Sequence, residues 1–150
     1  PGNQSINTFT GFLKPDPEIT LTIPSATDKA ISVGAYDTST DKVATFSGRG
    51  FTRENNQIKP DIVAPGVNIR SAATGGGTTV LSGTSMATPF VTGSAALMME
   101  WGIVRGNDPY LYGEKIKAYL IRGAKHLPGY EQWPNKQAGW GALCLRDSLV

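Results

Sequence analysis

Ser85 is the side chain of this sequence best placed to do chemistry. It stands in Gly83-Thr84-Ser85-Met86-Ala87-Thr88-Pro89, and from Ser85 to Met99 there is no charged residue. Phe90, Val91, Ser94, Ala95, Met98 and Met99 recur there at helical spacing, and a helix apolar on nearly every side is expected to lie in the middle of a domain. Pro89 lacks an N–H and would leave the Ser85 carbonyl without its helical donor, a defect tolerated only in a first turn. The helix is therefore predicted to begin within a residue or so of Ser85. A hydroxyl at that point has two readings. It caps the orphan amides, as Ser commonly does at helix starts, or it is a nucleophile whose oxyanion product meets free N–H groups and the positive helix end. Position alone leaves both open.

Other polar residues carry less. His126, the only histidine, lies well after Ser85 beside Lys125 and near Pro128, and reads as solvated. Asp16, Glu18, Asp37, Asp41, Glu54 and Asp61 show no metal-ligand spacing and read as solvated loop carboxylates, turn formers and caps. Gly75, Gly76 and Gly77 lack the Lys and helix of a phosphate loop, so they read as flexibility. Trp101, Trp133 and Trp140 are not interleaved with basic residues and read as packing. Cys144 stands alone, which excludes an internal disulfide and a cysteine zinc cage.

The elements that must position Ser85 are short. Apolar runs at Ala30 to Ala35, Val43 to Phe46 and Asp61 to Ala64 read as strands, the first able to be buried on both faces, and Val67 to Ile69 as an extension of the same sheet. Glu114 to Arg122 reads as an amphipathic helix stopped at Gly123, and Leu143 to Leu145 as a last strand. Pro1, Pro15, Pro17 and Pro24 make residues 1–24 an extended arm or edge strand, leaving 25–150 as the main body. Strands followed by helices indicate an α/β architecture. The chain has 150 residues, 39% apolar and 17% charged, enough for one buried core. A net charge of +2 makes neither nucleic acid nor an anionic membrane the default partner, and no apolar run is long enough for a membrane span. No basic leader marks a signal peptide, and a start at Pro-Gly without Met suggests that something upstream has been lost.

The string "GTSMATP", followed by Phe90, Val91, Gly93 and Ala95, resembles the nucleophile segment of the subtilisin-like serine proteases, the subtilases. "AISVGAYD" (Ala30 to Asp37), "FSGRG" (Phe46 to Gly50), "KPDIVAPGVNI" (Lys59 to Ile69) and "GWGAL" (Gly139 to Leu143) occur in the order such proteins show. The resemblance implies the C-terminal part of a subtilisin-like fold, with parallel strands packed on a buried helix that starts at the nucleophile. It also implies peptide-bond hydrolysis through an acyl-enzyme on Ser85.

The family's triad runs Asp, His, Ser along the chain, and segments resembling Asp-Thr-Gly and His-Gly-Thr are not present. The catalytic Asp and His are therefore expected from an N-terminal part of the same protease, and this chain alone is expected to be inactive. Gly2-Asn3 resembles the segment that supplies an oxyanion amide in subtilases. The following Phe12 to Ala26, however, is similar to the stretch after the jelly-roll insert of the clostridial Csp-like branch, so Asn3 is read as a loop residue at the end of that insert. Partners implied are a protein or peptide substrate and the N-terminal part, with self-association as a consequence of exposed edges. No cofactor is identified, calcium is possible by resemblance, and a secreted or spore-associated bacterial protein is implied. The alternative from another class is a non-catalytic subtilase-like pseudoprotease that binds or regulates a protein partner.

Overall fold

The computed structural model describes Lys14 and residues 16–149; Asn3 and most of the expected arm lie outside the described residues. Between residues 16 and 24 there is no strand. The chain is pinned there by Thr20 N–H to the Arg49 carbonyl (2.9 Å) and by Glu18 to Lys136 (2.8 Å).

Val33–Asp37 (β1), Lys42–Val43 (β2) and Ile62–Pro65 (β3) form one sheet in the order β2-β1-β3. β1 and β3 run parallel with Ala35 opposite Ala64, and β2 turns back antiparallel on β1. Beyond β3, Val63 N–H donates to the Gly141 carbonyl (2.9 Å) and Leu143 N–H to the Val63 carbonyl (2.8 Å). β3 is therefore flanked on both sides, and Ile62, Val63 and Ala64 are all buried, as an uninterrupted apolar strand requires.

Two expectations change here. Val67 to Ile69 does not extend this sheet. Ile69–Ala72 (β4) pairs antiparallel with Thr78–Leu81 (β5) as a separate hairpin, Ile69 opposite Leu81. Its tip holds Gly75, Gly76 and Gly77 at φ of 84°, 105° and 73°, a region side chains rarely adopt, so the three glycines serve a definite turn. Leu143 to Leu145 is not a strand either: only Ala142 bridges Val63, and the chain then folds into a short helix. That bend seats Ser148, fully buried, against Gly123, where no side chain fits.

Thr84–Met99 (α1) packs on β1 and β3 and continues as a π-helical segment, Glu100–Val104. Its buried residues Ala87, Val91, Ser94 and Met98 form one stripe, while Phe90, Leu97 and Met99 on its other sides are exposed. Gly113–Arg122 (α2) buries Ile116 and Leu120, with Glu114 in its first turn and Arg122 in its last, the arrangement the helix dipole favours. The short helix Leu145–Ser148 (α3) packs against α2. Among the described residues no helix is long and apolar enough to cross a membrane.

Asp61, expected to be solvated, is buried at the start of β3. Its Oδ2 accepts from Lys59 Nζ and from Ser32 N–H, each at 2.7 Å, and its Oδ1 lies 2.8 Å from Lys117 Nζ of α2. Lys59 is only 1% exposed and donates again to the Ala30 carbonyl (3.0 Å). Burial pushes the Lys59 ammonium below the usual lysine value, against the pull of Asp61. Two ammonium groups depend on one carboxylate, so the three positions are not equivalent. Asp61→Ala, which strands a buried Lys59, is expected to cost on the order of 3–5 kcal/mol. Lys59→Met leaves Asp61 with Lys117 and is expected to cost clearly less. Urea unfolding of the two variants checks the order, and equal losses would refute the shared-carboxylate account.

Asp108 supplies a second, pH-dependent contact. Its carboxylate accepts from Lys115 Nζ (2.6 Å) and from the Tyr119 hydroxyl (3.1 Å), and chiefly the lysine holds it below the usual carboxylate range. Because the folded value is depressed, the unfolded chain binds more protons in the intervening range. The stabilisation is present above the ordinary value of about 3.9 and is lost as pH falls through the folded value. Asp108→Asn is expected to lower the urea midpoint at pH 7 and to converge with the wild type under acid. A gap between the two that stays constant down to pH 2 would contradict this.

Candidate active site

The helix that carries Ser85 begins where the sheet ends. β3 runs into Gly66, whose N–H donates to the Tyr36 carbonyl of β1 (3.0 Å) and whose carbonyl accepts from Gly83 N–H (2.8 Å). Gly83 is the N-cap of α1, in extended backbone, and Ser85 is the second helical residue. The start at Thr84 agrees with the limit set by Pro89. A Cβ on Gly66 would lie 2.5 Å from that of Ala35 and 2.9 Å from the Gly83 carbonyl oxygen, so only glycine brings the two segments together.

The N-cap position is held by Gly83, which has no side chain, and Ser85 lies two residues beyond it, so Ser85 does not occupy the capping position. Met86 and Ala87 N–H both turn back to the Gly83 carbonyl, at 3.0 and 3.3 Å, while the amides of Thr84 and Ser85 have no backbone acceptor among the described residues. Ser85 is exposed and lies in an open cleft of about 320 Å³ bounded by β4 and the first turns of α1. Ile69, Met86, Pro89 and Phe90 give the cleft an apolar wall, and Arg70 is its one charged residue. This arrangement offers a hydroxyl, unengaged amides and the positive end of a sixteen-residue helix at one surface point.

His126 is elsewhere. It is exposed, does not line this cleft, and lies flat on Trp133 with ring centroids 4.3 Å apart and planes 2° from parallel. Trp133 also meets Tyr130 edge-on, and Trp101 meets Tyr119, so both tryptophans pack. Among the described residues no group of three or more His, Cys, Asp or Glu is arranged to hold a metal.

Two features escaped the reading of the sequence. Asp61 was partly detectable: Lys59 stands two residues before it, an opposite charge close in sequence at the mouth of a buried strand. Arg70 carried no such signal, because its place beside Ser85 depends on how the β4–β5 hairpin folds back. Gly66→Ala tests the junction. The added methyl must displace Ala35 or the helix cap, and a loss of about 1–3 kcal/mol is expected, the usual cost of overpacking. The backbone amide resonances of Gly83 to Ser85 are expected to shift with it, and unmoved resonances would show that Gly66 does not set the helix start.

The model of the subtilase family matches residues 2–141. The serine protease AprX of Bacillus subtilis is 36% identical over 153 aligned residues, covering 87% of this chain and 32% of its own. The human membrane-bound transcription factor site-1 protease is 34% identical over 131, covering 84% of this chain and 12% of its own. Among solved structures, the CspB protease of Clostridium perfringens superposes with a TM-score of 0.88 at 49% identity, covering 93% of this chain and 30% of that one. The chain thus spans about a third or less of each of these three relatives. Its parallel strands packed on α1 reproduce part of the subtilase fold, the likeness extends to the clostridial Csp-like branch, and the chain belongs to the subtilase family of serine peptidases.

Proposed function

We propose that Ser85 is the nucleophile of a serine endopeptidase and that the Asp and His of its triad come from a segment outside these 150 residues. The observation that carries this reading is the exposed Ser85 hydroxyl, free of any capping bond, beside unengaged amides at the start of α1. Ser85 Oγ attacks the carbonyl carbon of a bound peptide as the histidine takes its proton. The oxyanion forms against the Ser85 amide and the positive end of α1. Collapse of this intermediate breaks the C–N bond, the histidine returns the proton to the leaving amine, and an acyl-enzyme remains on Ser85. Water, activated by the same histidine, then releases the acid.

His126 is no substitute base, being engaged with Trp133 away from the cleft. Without a base the serine hydroxyl is a weak nucleophile, so purified 1–150 is expected to show no peptidase turnover and negligible labelling by an activated phosphonate. Adding a segment with intact Asp and His is expected to restore both, and Ser85→Ala to remove them by a factor on the order of 10⁶, the scale of such a loss in subtilisin. Labelling of Ser85 in the chain alone that disappears in His126→Ala would overturn the assignment. A complex that forms yet stays inactive would favour a pseudoprotease.

A further inference from the structure

Ser85 shares its cleft with one charged side chain, Arg70. Arg70 sits on β4 opposite Val80 of β5, and its Nη1 donates across the hairpin to Thr78 Oγ1 at 3.3 Å. A guanidinium has five N–H donors, so most remain unspent. Among the described residues no carboxylate lies within ion-pair distance of it, whereas nine other lysines and arginines form ion pairs. No carboxylate lines the cleft, and apart from Ser71 and Ser85 its other lining residues, Ile69, Met86, Pro89 and Phe90, are apolar. A planar cation with free donors, tethered by one bond beside an apolar surface, matches a carboxylate presented on a chain lying in the cleft. Such a pair forms two parallel N–H···O bonds, which lysine cannot reproduce.

We propose that Arg70 is a specificity-determining residue that selects peptides carrying a carboxylate close to the bond presented to Ser85. The proposal rests on the reading of Ser85 as the nucleophile. The carboxylate comes from an Asp or Glu side chain or from the terminus of the peptide, and the two sources separate by experiment.

The test uses the protease assembled with its Asp- and His-bearing segment and internally quenched peptides. These carry Glu, Gln or Lys at each position near the scissile bond, each made as free acid and as amide. The wild type is expected to prefer Glu over Gln at one position by about tenfold in kcat/KM, the range of a charge-assisted bond. Arg70→Gln is expected to reduce this to less than twofold, Arg70→Lys to restore it in part, and Arg70→Glu to turn the preference toward Lys. A preference that instead follows the free acid over the amide assigns the terminal carboxylate as the ligand. A Glu-to-Gln ratio identical in the wild type and Arg70→Gln, with no effect of the peptide terminus, overturns the proposal.

Binding of the same peptides to Ser85→Ala, followed by fluorescence anisotropy, separates the two claims. Arg70-dependent binding of acidic peptides without hydrolysis by the parent would sink the nucleophile assignment and sustain this one. Hydrolysis at Ser85 with no acidic preference and no Arg70-dependent binding would do the reverse.

Discussion

The bond from Gly83 N–H to the Gly66 carbonyl joins the two halves of this structure's logic. On one side of it lie two parallel strands, β1 and β3, whose carboxyl ends terminate together because Gly66 N–H reaches the Tyr36 carbonyl. On the other side α1 begins, one residue before Ser85. The junction has no room for a methyl group on Gly66, so strand ends and helix start approach at backbone distance and not through side chains. Ser85 therefore owes its position to a main-chain contact made two residues before it, at Gly83. Parallel sheets commonly place their ligands just beyond the carboxyl ends of the strands, and the cleft beside Ser85 occupies that place.

The opposite end of β3 carries the most heavily buried charge in the described chain, and it has no access to the cleft. Asp61 accepts from Lys59, Lys117 and Ser32, and so ties the strand's start to α2 and to the segment leading into β1. A perturbed titratable group in a structure is often a functional candidate. Here the shifted lysine is buried, shares a carboxylate with a second lysine and borders no pocket described with Ser85, so its work is to fix register. β3 is thus held by charge at its amino end and by a close backbone approach at its carboxyl end, and the apolar residues between need only fill space.

How far the sequence was legible follows from the range of each interaction. The start of α1 was readable because Pro89 and the Ser85 carbonyl belong to one helical turn, and α2 because Ile116 and Leu120 fall on one face. The family resemblance was readable from contiguous strings. The Asp61 cluster was half readable, since Lys59 is local to it and Lys117 is not. The hairpin and the bend into α3 were missed because their causes are distant: the tip glycines must close a turn, and Ser148 must seat against Gly123. Burial of α1 on nearly every side, expected from its uncharged run, is found on one stripe only. The chain supplies cover for Ala87, Val91, Ser94 and Met98 through β1 and β3, and the exposure of Phe90, Leu97 and Met99 is the part that pattern cannot assign to a partner.

Two sources of positive potential converge on the cleft, and they differ in when they act. In the proposed reaction the amides at the start of α1 face an oxygen that is nearly neutral in the bound peptide and fully charged in the tetrahedral intermediate. Their contribution grows along the reaction coordinate and so enters turnover. The carboxylate that Arg70 is proposed to hold is charged before, during and after bond cleavage. That contribution is uniform, so it belongs to substrate affinity and leaves the chemical step unchanged. The division has a structural counterpart. The amides are fixed by the Gly66 junction, which tolerates no displacement, whereas Arg70 stands on an exposed hairpin held by one side-chain bond. In the proposed reaction catalytic geometry thus resides in backbone packed at the end of a buried sheet, and selectivity in a side chain at its solvent edge.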